Sequence, residues 1–259
     1  NNIIMMKVII IQPDIKWEDR KSNILKYYDY FMNIQKCDII VLPEMFTTGF
    51  TMNPKLHYET MYGETISWMK FWASKIDTAI CGSLVIKDSE NYYNRFVFVK
   101  PDGSVEFYDK RHLFSLGKED KFYERGIEQK IIEWRGFKIL PIICYDLRFP
   151  VWSRYTSDNE YDMMICVANW PESRSIAWKT LLKSRAIENQ SFVIGCNRIG
   201  LDGNGINHSG DSMIIGPIGE ILSEPHNDII EYELDIDYLK KTRNDFPFLN
   251  DGDLFKVTI

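Results

Sequence analysis

No stretch of this sequence reaches the roughly 18 consecutive apolar residues that a membrane-crossing helix needs. Nor is there an excess of positive charge: 31 Lys and Arg stand against 37 Asp and Glu, a net charge of -6 at pH 7. A mildly acidic surface offers no electrostatic footprint for nucleic acid or an anionic membrane. Cysteine is sparse. Cys37, Cys81, Cys144, Cys166 and Cys196 form no Cys-x-x-Cys pair and no ligand-like spacing with the four histidines. That argues against a disulfide framework or structural zinc and for a reducing cytoplasm. The opening Asn1-Asn2-Ile3-Ile4-Met5-Met6-Lys7 lacks the features of a signal peptide. Repeats, low-complexity tracts and Gly/Ser linkers are missing too, so residues 1–259 read as one domain, with 235–259 as a C-terminal arm poor in regular signals.

What is present is a 45% hydrophobic, 14% aromatic chain, ample for one large core. Strands are expected near 6–12, 38–42, 78–86, 91–100, 105–108, 131–134, 137–143, 162–167, 191–196, 211–215, 221–223 and 229–234. Helices are expected near 17–34, 64–75, 151–157 and 175–189. In the last of these Ile176, Ala177, Thr180, Leu181, Ser184 and Ile187 recur at helical spacing. Pro101-Asp102-Gly103 marks a hairpin turn, and the loop 111–130 is long enough to suggest function. Continuously apolar strands such as Val8-Ile9-Ile10-Ile11 suit sheets covered on both faces. Alternation with helices gives an α/β protein. Two stacked sheets with helices outside account for both features, as does an ordinary three-layer fold.

Three strand ends carry chemistry. Cys144 closes the apolar run Ile139-Leu140-Pro141-Ile142-Ile143, and Pro150 stands where a helix opens. A thiol at such an elbow can be exposed near helix N–H dipoles and held as thiolate. Glu44 ends the run before Met45-Phe46, and Lys110 follows Phe107-Tyr108-Asp109. Taken singly, Cys144 reads equally well as a small core hydrophobe or a nucleophile, and the other two read as surface charges at strand ends. Together, carboxylate, ammonium and thiol make a site that needs neither metal nor histidine.

The order Glu44, Lys110, Cys144 resembles the nitrilase (carbon–nitrogen hydrolase) superfamily. Gln12-Pro13, Tyr108-Asp109-Lys110, Phe122, Gly126, Tyr145-Asp146-Leu147-Arg148-Phe149, Arg185-Ala186-Ile187-Glu188-Asn189, Ser209-Gly210-Asp211-Ser212 and Gly216-Pro217-Ile218-Gly219-Glu220 extend the likeness along the chain. Ala168-Asn169-Trp170-Pro171 and Gly203-Asn204-Gly205 are most similar to its bacterial omega-amidase branch. The resemblance implies a four-layer α/β/β/α sandwich, a homodimer and no cofactor. It implies that Glu44 is the base, that Lys110 and the Tyr145 N–H stabilise the oxyanion, and that Glu119 stands beside the triad. The substrate would be a small dicarboxylate monoamide, 2-oxoglutaramate or 2-oxosuccinamate. Phe46 and Phe50 are expected at the pocket entrance, with Asn169 and Trp170 as its wall. Arg174 is expected to grip a distal carboxylate, because guanidinium binds carboxylate bidentately. Arg148 is read as structural and His112 as a packing or hydrogen-bonding residue.

Other readings stay open. A related amidohydrolase would take N-carbamoyl amines or aliphatic amides. A true nitrilase fits less well, since Tyr145-Asp146 follows the cysteine. A Mg²⁺ phosphodiesterase would use Glu44 and Asn169 with a late histidine, His208 or His226. A catalytically silent binding protein is the remaining class.

Overall fold

The computed structural model describes residues 4–225, 227–253 and 255–258. The opening Asn1, Asn2 and Ile3, the weighed His226, and Leu254 and Ile259 of the expected arm lie outside the described residues.

Two six-stranded sheets form the centre of the molecule. One runs in the order Ile229–Asp235, Met5–Ile11, Ile39–Val41, Ala79–Asp88, Asn91–Val99, Val105–Asp109. The other runs Ile221–Ser223, Met213–Ile215, Phe192–Cys196, Met163–Val167, Phe137–Ile143, Ile132–Trp134. The two-residue period of a strand sorts the side chains into layers. Val8, Ile10, Ile39 and Val41 meet Ile143, Ile165, Val167 and Ile194 between the sheets. Ile9, Ile11, Ile40 and Leu42 face outward onto Tyr27, Phe31, Met69 and Trp72 of the helices Arg20–Asn33 and Glu64–Ile76. Ile142, Met164, Cys166 and Val193 face outward onto Trp178, Leu182 and Ala186 of the helix Ser175–Asn189. The result is the four-layer α/β/β/α sandwich. Burial on both faces is why these strands read as unbroken apolar runs.

Three segments that the sequence reading covered turn out differently. Residues 151–157 form turns, not a helix. Their backbone groups are taken by neighbours: the Tyr161 hydroxyl donates to Ser153 O at 2.6 Å, and the Tyr155 N–H donates to Asn189 Oδ1 at 2.8 Å. The helix Ser175–Asn189 stands where expected, but Ile176 and Ile187 face solvent. Its buried side carries Trp178 and Leu182 together with the polar Arg185 and Asn189, which broke the apolar pattern. Finally, the tail is not irregular. A helix spans Ile236–Asp245, capped by the Asp235 carboxylate on the Asp237 N–H, and buries Ile236 and Leu239.

Candidate active site

Parallel strands place the chemistry at one edge. Ile39–Val41 runs parallel to Ala79–Asp88 and leads to Glu44. Val105–Asp109, two antiparallel steps further, therefore shares that direction and leads to Lys110. In the second sheet the parallel strands Phe137–Ile143 and Met163–Val167 lead to Cys144 and Asn169. Ligand sites in α/β sheets form at such carboxyl ends.

Behind the cysteine lies a closed polar cluster. Lys110, Glu44 and Glu119 have fully buried side chains. Lys110 Nζ is 2.8 Å from Glu44 Oε1 and 2.9 and 3.1 Å from the two Glu119 oxygens. Asn94 Nδ2 bridges the carboxylates, donating to Glu44 Oε1 at 2.7 Å and Glu119 Oε1 at 3.0 Å. The Asn169 N–H donates to Glu44 Oε2 at 2.8 Å, and the Phe114 N–H to Glu119 Oε2 at 2.6 Å. Burial opposes the Lys110 ammonium, but Glu119 and Glu44 outweigh it and its pKa is raised. Burial, against the pull of Lys110, raises that of Glu119. The loop 111–130 closes over the lysine at Gly126, whose N–H donates to Lys110 O at 2.8 Å. A Cβ there would stand 2.1 Å from Asp109 O, so only glycine permits the approach.

Cys144 is half-buried and opens a 3-10 turn, Cys144–Arg148, with φ of 44°. That left-handed conformation is strained for a non-glycine residue, by about 1–3 kcal/mol. Asp146 holds the turn. Its carboxylate accepts from the Ile143 N–H at 3.0 Å, the Tyr108 hydroxyl at 2.8 Å and the His112 N–H at 2.8 Å. His112 stacks on Phe149 at 3.9 Å between ring centres, the packing and hydrogen-bonding part expected of it. Opening N–H groups of such a turn have no acceptor within it, which leaves the Tyr145 N–H free to donate. Burial of the sulfur and the nearby Glu44 push the Cys144 thiol up, and Lys110 only partly offsets them. That direction favours the protonated thiol and leaves the base with a proton to remove.

A cavity of about 270 Å³ opens onto Cys144. Phe50, Phe114, Tyr145, Asn169, Trp170 and Arg174 line it. Trp170 belongs equally to the core, 5.4 Å from Trp178, with its indole N–H on Arg174 O at 2.9 Å. Phe46 does not reach the cavity. It is fully buried under the helices, edge-on to Tyr27, and its expected place is taken by Phe50 alone. Arg148, expected to be structural, lines the cavity, its guanidinium 4.8 Å from the Trp170 ring. Arg174 lies 5.6 Å from the Phe114 ring. Neither arginine has a salt-bridge partner among the described residues.

Sequence reasoning missed Asn94 and the hairpin Ile199–Leu201/Asn207–Ser209, which brings Asp202, Asn204, Ile206 and His208 to the cavity. Asn94 is fully buried in the strand Asn91–Val99, beside the buried Arg95, and nothing in its local sequence marked it for the site. His208 is buried, and burial together with Arg198 lowers its pKa. Glu44 is surrounded by donors, Lys110, Asn94 and the Asn169 N–H, which suits a carboxylate serving protons better than one serving a metal ion.

Fold and site together define a class. The chain belongs to the carbon-nitrogen hydrolase family, whose profile matches residues 7–244. It is a hydrolase of carbon–nitrogen bonds, an amidase. It is 45% identical over 256 residues to the omega-amidase YafV of Yersinia enterocolitica, covering 96% of this chain and 98% of that one. It is 33% identical to the 2-oxoglutaramate amidase of Bacillus subtilis, over 93% of this chain and 95% of that one. The crystal structure of XC1258 from Xanthomonas campestris, a CN-hydrolase superfamily protein with an arsenic adduct in its active site, superposes with a TM-score of 0.95. It is 36% identical and covers 98% of this chain and 99% of that one.

Proposed function

We propose that this chain is an omega-amidase: it hydrolyses the terminal amide of a small dicarboxylate monoamide, 2-oxoglutaramate or 2-oxosuccinamate, to the 2-oxo acid and ammonia. The observation that carries this is the pairing of a buried Glu44–Lys110–Glu119 cluster behind Cys144 with two cavity-lining guanidinium groups that have no salt-bridge partner among the described residues. Omega-amidase and 2-oxoglutaramate amidase are the names of relatives similar over nearly the whole chain.

A thiol whose proton is held tightly needs a base during attack. Glu44 takes the Cys144 proton as sulfur bonds to the amide carbon. Lys110 and the Tyr145 N–H face the developing oxyanion; losing one such donor typically costs about 10²–10³ in rate. Glu44 returns the proton to nitrogen, the C–N bond breaks and ammonia leaves a thioester on Cys144. Water, deprotonated by Glu44, then releases the acid. Glu119 keeps Lys110 charged and aimed. Arg174 and Arg148 grip the distal carboxylate, which a plain aliphatic amide lacks. A homodimer in the cytoplasm belongs to the same reading; the five free thiols support the reducing compartment.

The test is ammonia release from both substrates by wild type and Cys144→Ser, with and without EDTA. Fast, EDTA-insensitive release that vanishes in the variant is expected. No release from either, with Cys144 still alkylated by iodoacetamide, rejects the substrate and leaves carbamoyl amines and aliphatic amides to be screened.

A further inference from the structure

Asn169 is only 6% exposed, lines the cavity beside Cys144, and has one polar atom with no partner among the described residues, Oδ1. Its other groups are committed. The backbone N–H donates to Glu44 Oε2 and Nδ2 donates to Glu44 O. That second bond also fixes the amide's orientation. Flipping it would set Oδ1 against the Glu44 carbonyl, two acceptors face to face. A buried acceptor left bare is penalised, which marks Oδ1 as kept for a donor. Other buried side-chain polar atoms without a partner occur among the described residues, but none of those residues lines this cavity.

The donors and acceptors of the site show what Oδ1 is for. A carboxylate offers about four lone-pair positions. On Glu44, Lys110, Asn94 and the Asn169 N–H occupy three of them. One position is left for the proton that Glu44 must shuttle. A primary amide brings two N–H donors to the same spot. Before attack Glu44 can receive one in that position, releasing it when it takes the thiol proton; the second needs another acceptor within the cavity wall. We infer that Asn169 Oδ1 is that acceptor, and that it selects substrates with an unsubstituted –NH₂ leaving group. The inference rests on the amidase reading above and adds to it a specificity residue on the nitrogen side of the scissile bond. The same bond to Oδ1 turns the nitrogen lone pair toward the proton held on Glu44.

The test uses Cys144→Ala, which binds substrate without forming a thioester. Calorimetric titration compares 2-oxoglutaramate with 2,5-dioxohexanoate, the methyl ketone in which CH₃ replaces the terminal NH₂. Cys144→Ala should bind the amide about tenfold more tightly than the ketone. Adding Asn169→Ala should weaken the amide about tenfold and leave the ketone unchanged, so that the ratio collapses. If Asn169 only supports Glu44, both compounds weaken together and the ratio survives, which overturns the inference. Equal binding of amide and ketone by Cys144→Ala alone also overturns it and needs no Asn169 variant. Binding of neither compound to Cys144→Ala overturns instead the substrate reading beneath it.

Discussion

The site has a floor and a rim, and they are built on opposite principles. The floor, Glu44, Lys110, Glu119 and Asn94, is sealed: Glu44 and Lys110 follow strand ends, Asn94 lies within a strand, Glu119 is brought in by the 111–130 loop, and each charge meets a partner within about 3 Å. The rim, Arg148, Arg174, Asn204 and His208, stands on turns and a hairpin, and its arginines touch aromatic faces rather than carboxylates. A buried charge without a partner is severely penalised, so the floor tolerates only a complete set. Half-exposed guanidinium groups can wait for a ligand. Reaction type is therefore fixed in the part of the molecule that cannot vary singly, and substrate choice in the part that can.

Substitutions can break this contrast. The largest effect falls on the floor: Lys110→Met leaves two carboxylates buried together, and should abolish ammonia release and destabilise the fold by about 3–5 kcal/mol in urea titration. An equally stable variant would show that the floor is not an obligatory set. Phe46→Ala should lose about 3–5 kcal/mol of stability with KM unchanged, because its ring belongs to the outer core. A raised KM with little loss of stability would return Phe46 to the pocket. At the rim, Arg174→Ala and Arg148→Ala should each raise KM about tenfold or more for a dicarboxylate monoamide. They should leave kcat, urea stability and turnover of a neutral amide nearly unaltered. A fall in kcat for charged and neutral amides alike would place them in the chemistry instead.

The smallest effect sharpens the picture by pH. The folded Lys110 pKa is raised above its ordinary 10.5. Its stabilising contribution is thus complete below that value and is lost as pH rises through the folded one. Above about pH 10.5 the urea midpoint of wild type should fall more steeply than that of Lys110→Met. Parallel slopes would mean that Lys110 titrates as an ordinary lysine.

Much of this was legible in the residues. The strand Phe137–Ile143 and the helix Ser175–Asn189 fall at the expected bounds, since apolar runs and helical spacing report local geometry. The tail helix was legible too and was missed: Asp235 caps it, and Ile236 and Leu239 sit three apart on its buried side. Residues 151–157 went the other way, because their partners lie outside the segment, Tyr161 just beyond it and Asn189 on the helix Ser175–Asn189. Arg148 and Phe46 exchanged places for the same reason. Nothing local tells an arginine in a turn from one facing a cavity, or a phenylalanine at a pocket mouth from one beneath a helix.

By itself, then, the sequence determined the alternating α/β architecture and the order of carboxylate, ammonium and thiol, because burial periodicity and residue chemistry are properties of short segments. Only the tertiary structure decided that Glu119 and Asn94 complete the cluster, that Arg148 joins Arg174 at the cavity, and that Asn169 holds Glu44 with two donors while its Oδ1 is left over. Those facts depend on which strand ends meet, and contacts between segments 50 or 125 residues apart are set by how the sheets stack, not by any neighbour in the chain.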